Sequence, residues 1–205
     1  MQVSILDFDA YIIDLDGAVT DTAILHARTW KKLLDGFVNA AHPDAEIKPF
    51  STSEDYQRHI RGRSHVDGVR RYLQSRAITL PEGTPDDPEH AHTMHGLAKR
   101  KNAMFCQTIT ERGVNVFAGS ERFLDHLGTS SRPTALVTAS RNGEMVLERA
   151  GIAHRFDVIE ATEAGVAAGR EGGFGCVIGV LRGNSRAALK SAGADILVDD
   201  LAELL

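Results

Sequence analysis

Apolar residues come in short unbroken runs at Ala10–Ile13, Thr134–Val137, Cys176–Val180 and Ile196–Val198. Runs of that length, bounded by polar and small residues, predict buried strands. Helix-periodic sequence separates several of them, and that alternation predicts a parallel α/β sheet. Between the first two runs lie about a hundred residues with almost no strand pattern, and their apolar positions recur at helical spacing. Ile24, Trp30, Leu34, Phe37 and Val38 fall on one such face, and Met94, Leu97, Met104, Phe105 and Ile109 on another. The break between the two is "ITLPEGTPDDPEH", where Asp87 can cap and Pro88 can open the second long helix. The expected organisation is an α/β core formed by residues 1–18 and 110–205, with a helical insertion over residues 19–109.

Composition narrows the function classes. With 205 residues, 42% of them hydrophobic, the chain can bury one substantial core and a small second lobe. A formal charge of −5 and no long Lys/Arg cluster argue against a protein that tracks a nucleic-acid backbone, which needs cations to displace phosphate counterions. Small anionic ligands remain open. Cys106 and Cys176 are the two cysteines, with neither a CxxC spacing nor a disulfide framework, and they read as buried thiols. No apolar run reaches the roughly 18 residues of a membrane span, and Asp7 and Asp9 stand where a signal peptide would be basic and then apolar. A cytoplasmic location without membrane partners is expected.

The chemistry concentrates in "YIIDLDGAVTDT", Tyr11 to Thr22. In an open parallel sheet, ligands collect beyond the carboxyl ends of the strands, which is where Asp14 and Asp16 fall. Alternation along a strand points this i, i+2 pair to one side and turns Leu15 into the core, while Gly17 permits a tight turn. Two carboxylates that close repel unless a cation or a shared proton compensates. Magnesium suits that role because it takes oxygen ligands and bridges to phosphate. The plain alternative is an acidic turn with Asp21 as a helix cap. Ser140 and Asn142, in the turn after the second strand, offer donors to an oxyanion beside a helix N-terminus. His90, His92 and His95 do not share one helical face, so a solvated helix start is their plain reading.

Two longer patterns carry a resemblance. "DLDGAVTDT" after an apolar strand resembles the first signature of the haloacid dehalogenase superfamily of phosphotransferases, and "ALVTASRNG" resembles its second. The resemblance implies a Rossmann-like core with an inserted helical cap. It implies Asp14 as the nucleophile that takes a phosphoryl group, Asp16 as general acid and base, and a phosphate held by Thr138, Ala139, Ser140 and Asn142. Such a division of labour is chemically coherent, since a carboxylate nucleophile splits transfer into two steps and a second acid manages the leaving oxygen's proton. Within the superfamily the chain is most similar to the β-phosphoglucomutase subgroup. "ILHARTWKKLLD" carries His26 and Trp30, "RGRSHVDG" resembles the cap loop with Ser64 and His65, and "LAKRKN" matches the cap lysine motif at Lys101. A magnesium ion held by Asp14, Asp16 and Glu160, and a small phosphorylated sugar as substrate, are implied in turn. Read without the resemblance, Trp30 is a core residue, Lys101 a surface lysine and His26 an interfacial histidine.

The chain departs from that pattern in three places. His65 stands where the cap loop has an arginine, which removes a guanidinium fork. No lysine occurs between Lys101 and Lys190, so the lysine that neutralises the transferring phosphate has no counterpart. After "GIAHRFD" the chain runs into "VIEATEAGVAAGREGGFG", where Glu160 takes the place of the first acid of the metal-binding pair and Ala161 that of the second. Roughly thirty residues, about one βα unit, are missing by that register. Glu160 or Asp157 could reach the metal, and Arg155 or Arg170 could supply a cation. Three functions stay open: a phosphosugar mutase, a phosphatase on the same scaffold, and a sugar-phosphate-binding remnant.

Overall fold

The structure is a computed structural model, and it describes residues 8–44, 46–130, 132–138, 140–161, 175–181 and 186–205, with the side chains of 159–161 and 188 outside that set. The chain divides into two compact units, one made of Met1–Ala23 with Gly113–Leu205 and the other of Ile24–Arg112. The fold is mixed α/β, rich in helix, with small parallel sheets.

In the first unit, strand β1 (Tyr11–Asp14) pairs in parallel with β2 (Thr134–Thr138), and β2 with β3 (Val158–Ala161). Parallel pairing puts their carboxyl ends side by side, with Asp14 opposite Val137 and Thr138 opposite Ala161. Strand β3 is absent from the strands expected from sequence. Its "VIEA" has a charge and too few apolar residues to stand out as a run, and it is held by pairing with the fully buried Leu136 row of β2. Strands β4 (Ile178–Val180) and β5 (Ile196–Val198) pair with each other, and among the described residues they form a sheet separate from the first three. Ile12 and Val158 both register with Ala135, and both are about half exposed. The middle row of the three-stranded sheet therefore has apolar side chains in contact with solvent.

The helices follow from local signals. Helix α1 (Thr22–Ala41) crosses from the first unit into the second, and α2 (His65–Ser75) starts on Ser64, whose Oγ accepts from the Asp67 amide at 3.2 Å. Helix α3 (Met94–Arg112) starts six residues later than the Asp87–Pro88 reading predicts. Thr93 is its cap, with Oγ1 accepting from the Gly96 amide at 3.0 Å, and Asp87 accepts from the hydroxyls of Thr84 and Thr93. Asp87 is thus spent on the loop rather than on a helix end. Among the described residues the first unit also holds helices α4 (Ala118–Thr129), α5 (Gly143–Ala150) and α6 (Arg186–Ser191).

The helical unit packs around Trp30, Leu34, Phe50, Tyr72, Leu73 and Leu97, all nearly or fully excluded from solvent. Each such side chain contributes roughly 1.5–3 kcal/mol relative to exposure. Ile24, expected on the buried face, is instead about half exposed, because it lies on the first turn of α1, ahead of that core. Both cysteines are half-buried free thiols, and burial, then the nearby Asp195 charge, pushes the Cys176 thiol up. No helix among the described residues is long and apolar enough to cross a membrane.

Candidate active site

Strand β1 ends on Asp14, and the chain turns at once. The Leu15 amide still donates to Val137 O at 3.2 Å while its side chain is fully buried, as the alternation predicts. Gly17 then takes φ +85° and donates its amide to Thr20 O at 2.9 Å. That left-handed conformation is strained for any residue with a Cβ, so the glycine sets the turn. The amides of Val19 and Thr20 both return to Leu15 O, which closes the loop directly over the strand end. Asp16 is held at its centre.

Both oxygens of Asp16 are engaged. Thr22 Oγ1 donates to Oδ1 at 2.5 Å and Thr138 Oγ1 donates to Oδ2 at 2.7 Å. Thr20 Oγ1 lies 2.8 Å from Thr22 Oγ1 and 3.2 Å from Leu15 O. All three threonines are buried, so the Thr22 and Thr138 hydroxyls meet the carboxylate without competition from bulk water. Behind Thr138, the Ser140 amide donates to its Oγ1 at 3.0 Å, the Asn142 amide to Ser140 Oγ at 3.2 Å, and the Gly143 amide to Ser140 O at 3.1 Å. Ala139 lies outside the described residues. Thr138 and Asp16, expected from sequence to share a site, are therefore brought into direct contact. Thr20 and Thr22 are members of the site that sequence reasoning does not single out. Their signal is the pair of threonines four and six residues after Asp16, which is meaningful only once the Gly17 turn folds them back. Asp21, the capping alternative, instead accepts from the backbone amide and side-chain Nδ2 of Asn115.

Other expected partners lie elsewhere. Asp157 Oδ2 accepts from the Thr134 amide at 2.8 Å, at the first residue of β2 and hence at the opposite end of the parallel sheet from Thr138. Asp157 is thereby corrected as a candidate metal ligand. Arg155 precedes β3 at that same end and is paired with Asp125, so it does not bring a cation to the Asp14 end of the sheet. Lys190 donates to the carbonyls of Ala194 and Asp195. Glu160 has its backbone in β3 opposite Val137, with its side chain outside the described residues, as is the whole of Arg170. Among the described residues no three Asp, Glu, His or Cys side chains converge. The hard oxygen donors of Asp14 and Asp16 fit magnesium in kind but are few for it.

A second set of expected residues meets inside the helical unit. Lys101 is fully buried, with Nζ 2.5 Å from His26 Nδ1. The His26 ring stacks on Phe105 at 3.8 Å and 10°, and the Lys101 ammonium lies 4.7 Å from the Phe105 ring centre and 5.6 Å from that of Trp30. Two aromatic faces compensate part of the ammonium's lost hydration. The crowding around His26 desolvates it, and the charges of Lys101 and His65 add to that, so its pKa is held well below the usual 6.5. His65 packs edge-on against Trp30 at 5.5 Å, and Ser64 is the cap of α2. The surface reading of Lys101 does not hold.

Comparison with known proteins places this arrangement. No family model matches the chain. A β-phosphoglucomutase of Mycobacterium bovis is 36% identical over 239 residues, covering 96% of this chain and 91% of the relative. Among solved structures, a β-phosphoglucomutase of Clostridium difficile is similar with a TM-score of 0.63 at 20% identity, over 97% of this chain and 93% of that one. CbbY of Rhodobacter sphaeroides, solved in complex with phosphate, gives 0.60 at 19% identity, over 96% of both chains.

Proposed function

The chain belongs to the β-phosphoglucomutase family of the haloacid dehalogenase superfamily, and from that premise we propose that it is a magnesium-dependent phosphosugar phosphotransferase of the mutase kind. The observation that carries the reading is the Asp16 carboxylate suspended between Thr22 and Thr138, two residues beyond the strand that ends on Asp14. In this reading Asp14 Oδ attacks the phosphorus of a sugar phosphate, forming a carboxyl–phosphate bond as the sugar oxygen–phosphorus bond breaks, and Asp16 gives its proton to the departing sugar oxygen. In the second half a sugar hydroxyl loses its proton to Asp16 and attacks the phosphorus of the aspartyl-phosphate. The turn at Thr138, Ser140 and Asn142 orients the phosphate. Magnesium would be held by Asp14, the Asp16 backbone carbonyl and Glu160, and there it would supply charge neutralisation for the transferring group. The inserted helical unit, Ile24–Arg112, serves as the cap, with His26, Ser64, His65 and Lys101 as its sugar-phosphate residues.

A second reading, a sugar-phosphate-binding remnant, is favoured by one specific observation: Ala161 stands in register beside Thr138, where the family has an acid. The alignment with the Mycobacterium bovis relative runs over 239 residues, more than the 205 of this chain, which supports a segment present there and absent here. Conversion of β-glucose 1-phosphate to glucose 6-phosphate, followed with magnesium in the wild type and in Asp14→Asn, tests the two. Slow turnover abolished by the substitution is expected for the mutase. Release of inorganic phosphate in its place would mark a phosphatase, and no Asp14-dependent reaction would leave the remnant.

A further inference from the structure

We propose that the helical unit carries a phosphate-recognising site of its own, a cavity of about 400 Å³ lined by residues 54–59, by Lys48 and by the carboxyl end of α2, and suited to a small phosphorylated polyol. None of the cap residues given a part in the proposed reaction lines it: His26, Ser64, His65 and Lys101 all lie outside the lining. The inference goes beyond the proposed function and does not depend on it.

Local contacts fix the floor of this cavity. Arg76, the residue after α2, uses all three of its guanidinium nitrogens: Nε donates to Lys48 O at 3.3 Å, Nη1 to Ser75 Oγ at 3.1 Å and Nη2 to Asp55 Oδ2 at 2.8 Å. Each terminal nitrogen keeps a second N–H. The guanidinium carbon also lies 4.8 Å from the centre of the Tyr72 ring. Asp55 Oδ2 accepts from the Ser51 amide at 2.8 Å, and His59 Nε2, one helical turn on, stands 3.7 Å from Asp55 Oδ1. The side chains of Asp55, His59 and Arg76 are all largely buried. Arg76 is therefore held in place, and the charge of Asp55 is answered, without any ligand.

The rim adds positive charge that is not committed. Arg58 is exposed, and its side chain makes no hydrogen bond or ion pair among the described residues. Lys48 and Glu54 pair at 3.4 Å with both side chains mostly in solvent, and an exposed pair of that kind is weak enough for an anion to draw the lysine away. Three fixed cations, Lys48, Arg58 and Arg76, thus face the two carboxylates of Glu54 and Asp55, which leaves one positive charge, and a protonated His59 makes it two. His59 senses that field: burial, then the charges of Arg58, Arg76 and Arg63, outweigh the Asp55 carboxylate and hold its pKa below 6.5. The cations come from three separate segments, a spread of directions that suits the tetrahedral oxygens of a phosphate better than the plane of a carboxylate. A cavity of about 400 Å³ exceeds the volume of a lone phosphate and falls within the range of small-ligand pockets. Glu54 and Asp55 keep lone pairs for hydroxyl groups. Cations for an anion beside acceptors for hydroxyls describe a phosphorylated polyol, and an apolar ligand finds no place there.

The test follows the His59 ring nitrogens by NMR in the full 15N-labelled chain at pH 6.5 and constant ionic strength, the resonances being assigned by their loss in His59→Gln. Glucose 6-phosphate, inorganic phosphate and glucose are titrated separately, in the wild type and in Asp14→Asn so that no turnover occurs. Glucose 6-phosphate should move the ring saturably toward imidazolium, equally in both chains, because a bound anion favours the protonated form. Tighter binding of glucose 6-phosphate than of inorganic phosphate supports the ester as the ligand, and glucose alone should produce no shift. Arg58→Gln should weaken the phosphate affinity at least about ten-fold, the loss of one charge-assisted contact. Arg63 also contributes to the field at His59 but does not line the cavity, so Arg63→Gln should change the starting position of the resonance and leave the affinity within about two-fold. Both arginines lie at the surface, so neither substitution opens the core. No saturable shift with either phosphate, a shift with glucose, binding of inorganic phosphate as tight as that of the ester, or an equal loss in Arg58→Gln and Arg63→Gln would overturn the inference.

Discussion

Lys101 Nζ lies 2.5 Å from His26 Nδ1 inside the helical unit, a cation on a ring that must stay neutral to accept from it. Lys101 donates, Nδ1 accepts, and the stack on Phe105 holds the imidazole plane in place. In this tautomer the remaining proton of His26 is on Nε2.

The first prediction is a pH dependence of stability. Desolvation, then the Lys101 and His65 charges, lower the His26 pKa below 6.5, so the unfolded chain takes up a proton at a pH where the folded chain still refuses it. The contribution is full above pH 6.5 and is lost as pH falls from there through the folded-state value. His59 is lowered in the same sense and adds to this window, whereas Asp67 and Asp87, lowered from 3.8, lose their contribution only in stronger acid. Denaturant unfolding across this range should show stability falling with pH in the wild type and a shallower fall in His26→Gln. Equal slopes would mean that His26 is not the titrating group.

The start of α3 gives a second prediction. Thr93 accepts from the Gly96 amide and donates to Asp87 Oδ2 at 2.6 Å, so Thr93→Ala removes a cap and leaves Asp87 short of a donor. The cost should be about 1–2 kcal/mol. Pro88→Ala should cost less, because Pro88 does not open the helix. Equilibrium unfolding of the two variants distinguishes them, and a larger loss for Pro88→Ala would move the helix start back to Pro88.

The contrast between these positions explains what the sequence can convey. Strands β1, β2, β4 and β5 and the two long helices are legible because each writes its burial as a run or a 3.6-residue period. The Asp14–Asp16 turn is legible because glycine and paired carboxylates are rare together. The α3 start is not, since Asp87 and Thr93 are equally good caps on paper and only the loop's closure decides between them. The tethers of Asp16 are hidden for a similar reason, because Thr20 and Thr22 acquire meaning only after Gly17 reverses the chain. Burial of Lys101 depends on Trp30 and His26 arriving from α1, about seventy residues away in sequence, and no local pattern records that.

A third prediction separates Asp157 from metal binding. Its carboxylate accepts from the Thr134 amide at the amino end of β2, remote from Asp14 along the strand. Asp157→Ala should lower stability by roughly 1–3 kcal/mol by leaving that amide unsatisfied. Magnesium affinity, measured by calorimetry on the folded variant, should not change. A weakened magnesium isotherm without loss of stability would place Asp157 at the metal after all.

The last prediction concerns how far the chemical step is slowed. A transferring phosphoryl group concentrates negative charge on three oxygens, and catalysis of the transfer is mostly positioning and electrostatic stabilisation. Two described cations of the first unit are committed elsewhere: Arg155 is paired with Asp125 at the far end of the sheet, and Lys190 donates to two carbonyls. Neither is free to neutralise the transferring phosphate of the proposed reaction. Ala161, beside Thr138, brings no carboxylate to the strand end, so in the proposed reading magnesium would be left with Asp14, the Asp16 carbonyl and Glu160. Losing one preorganised group commonly costs on the order of a hundred-fold in rate, and two such losses compound. Turnover of β-glucose 1-phosphate should therefore fall at least about a hundred-fold below that of the Mycobacterium bovis relative assayed side by side, and half-saturation by magnesium should need a higher concentration. A rate comparable to the relative's, abolished by Asp14→Asn, would show that another group of this chain supplies the charge.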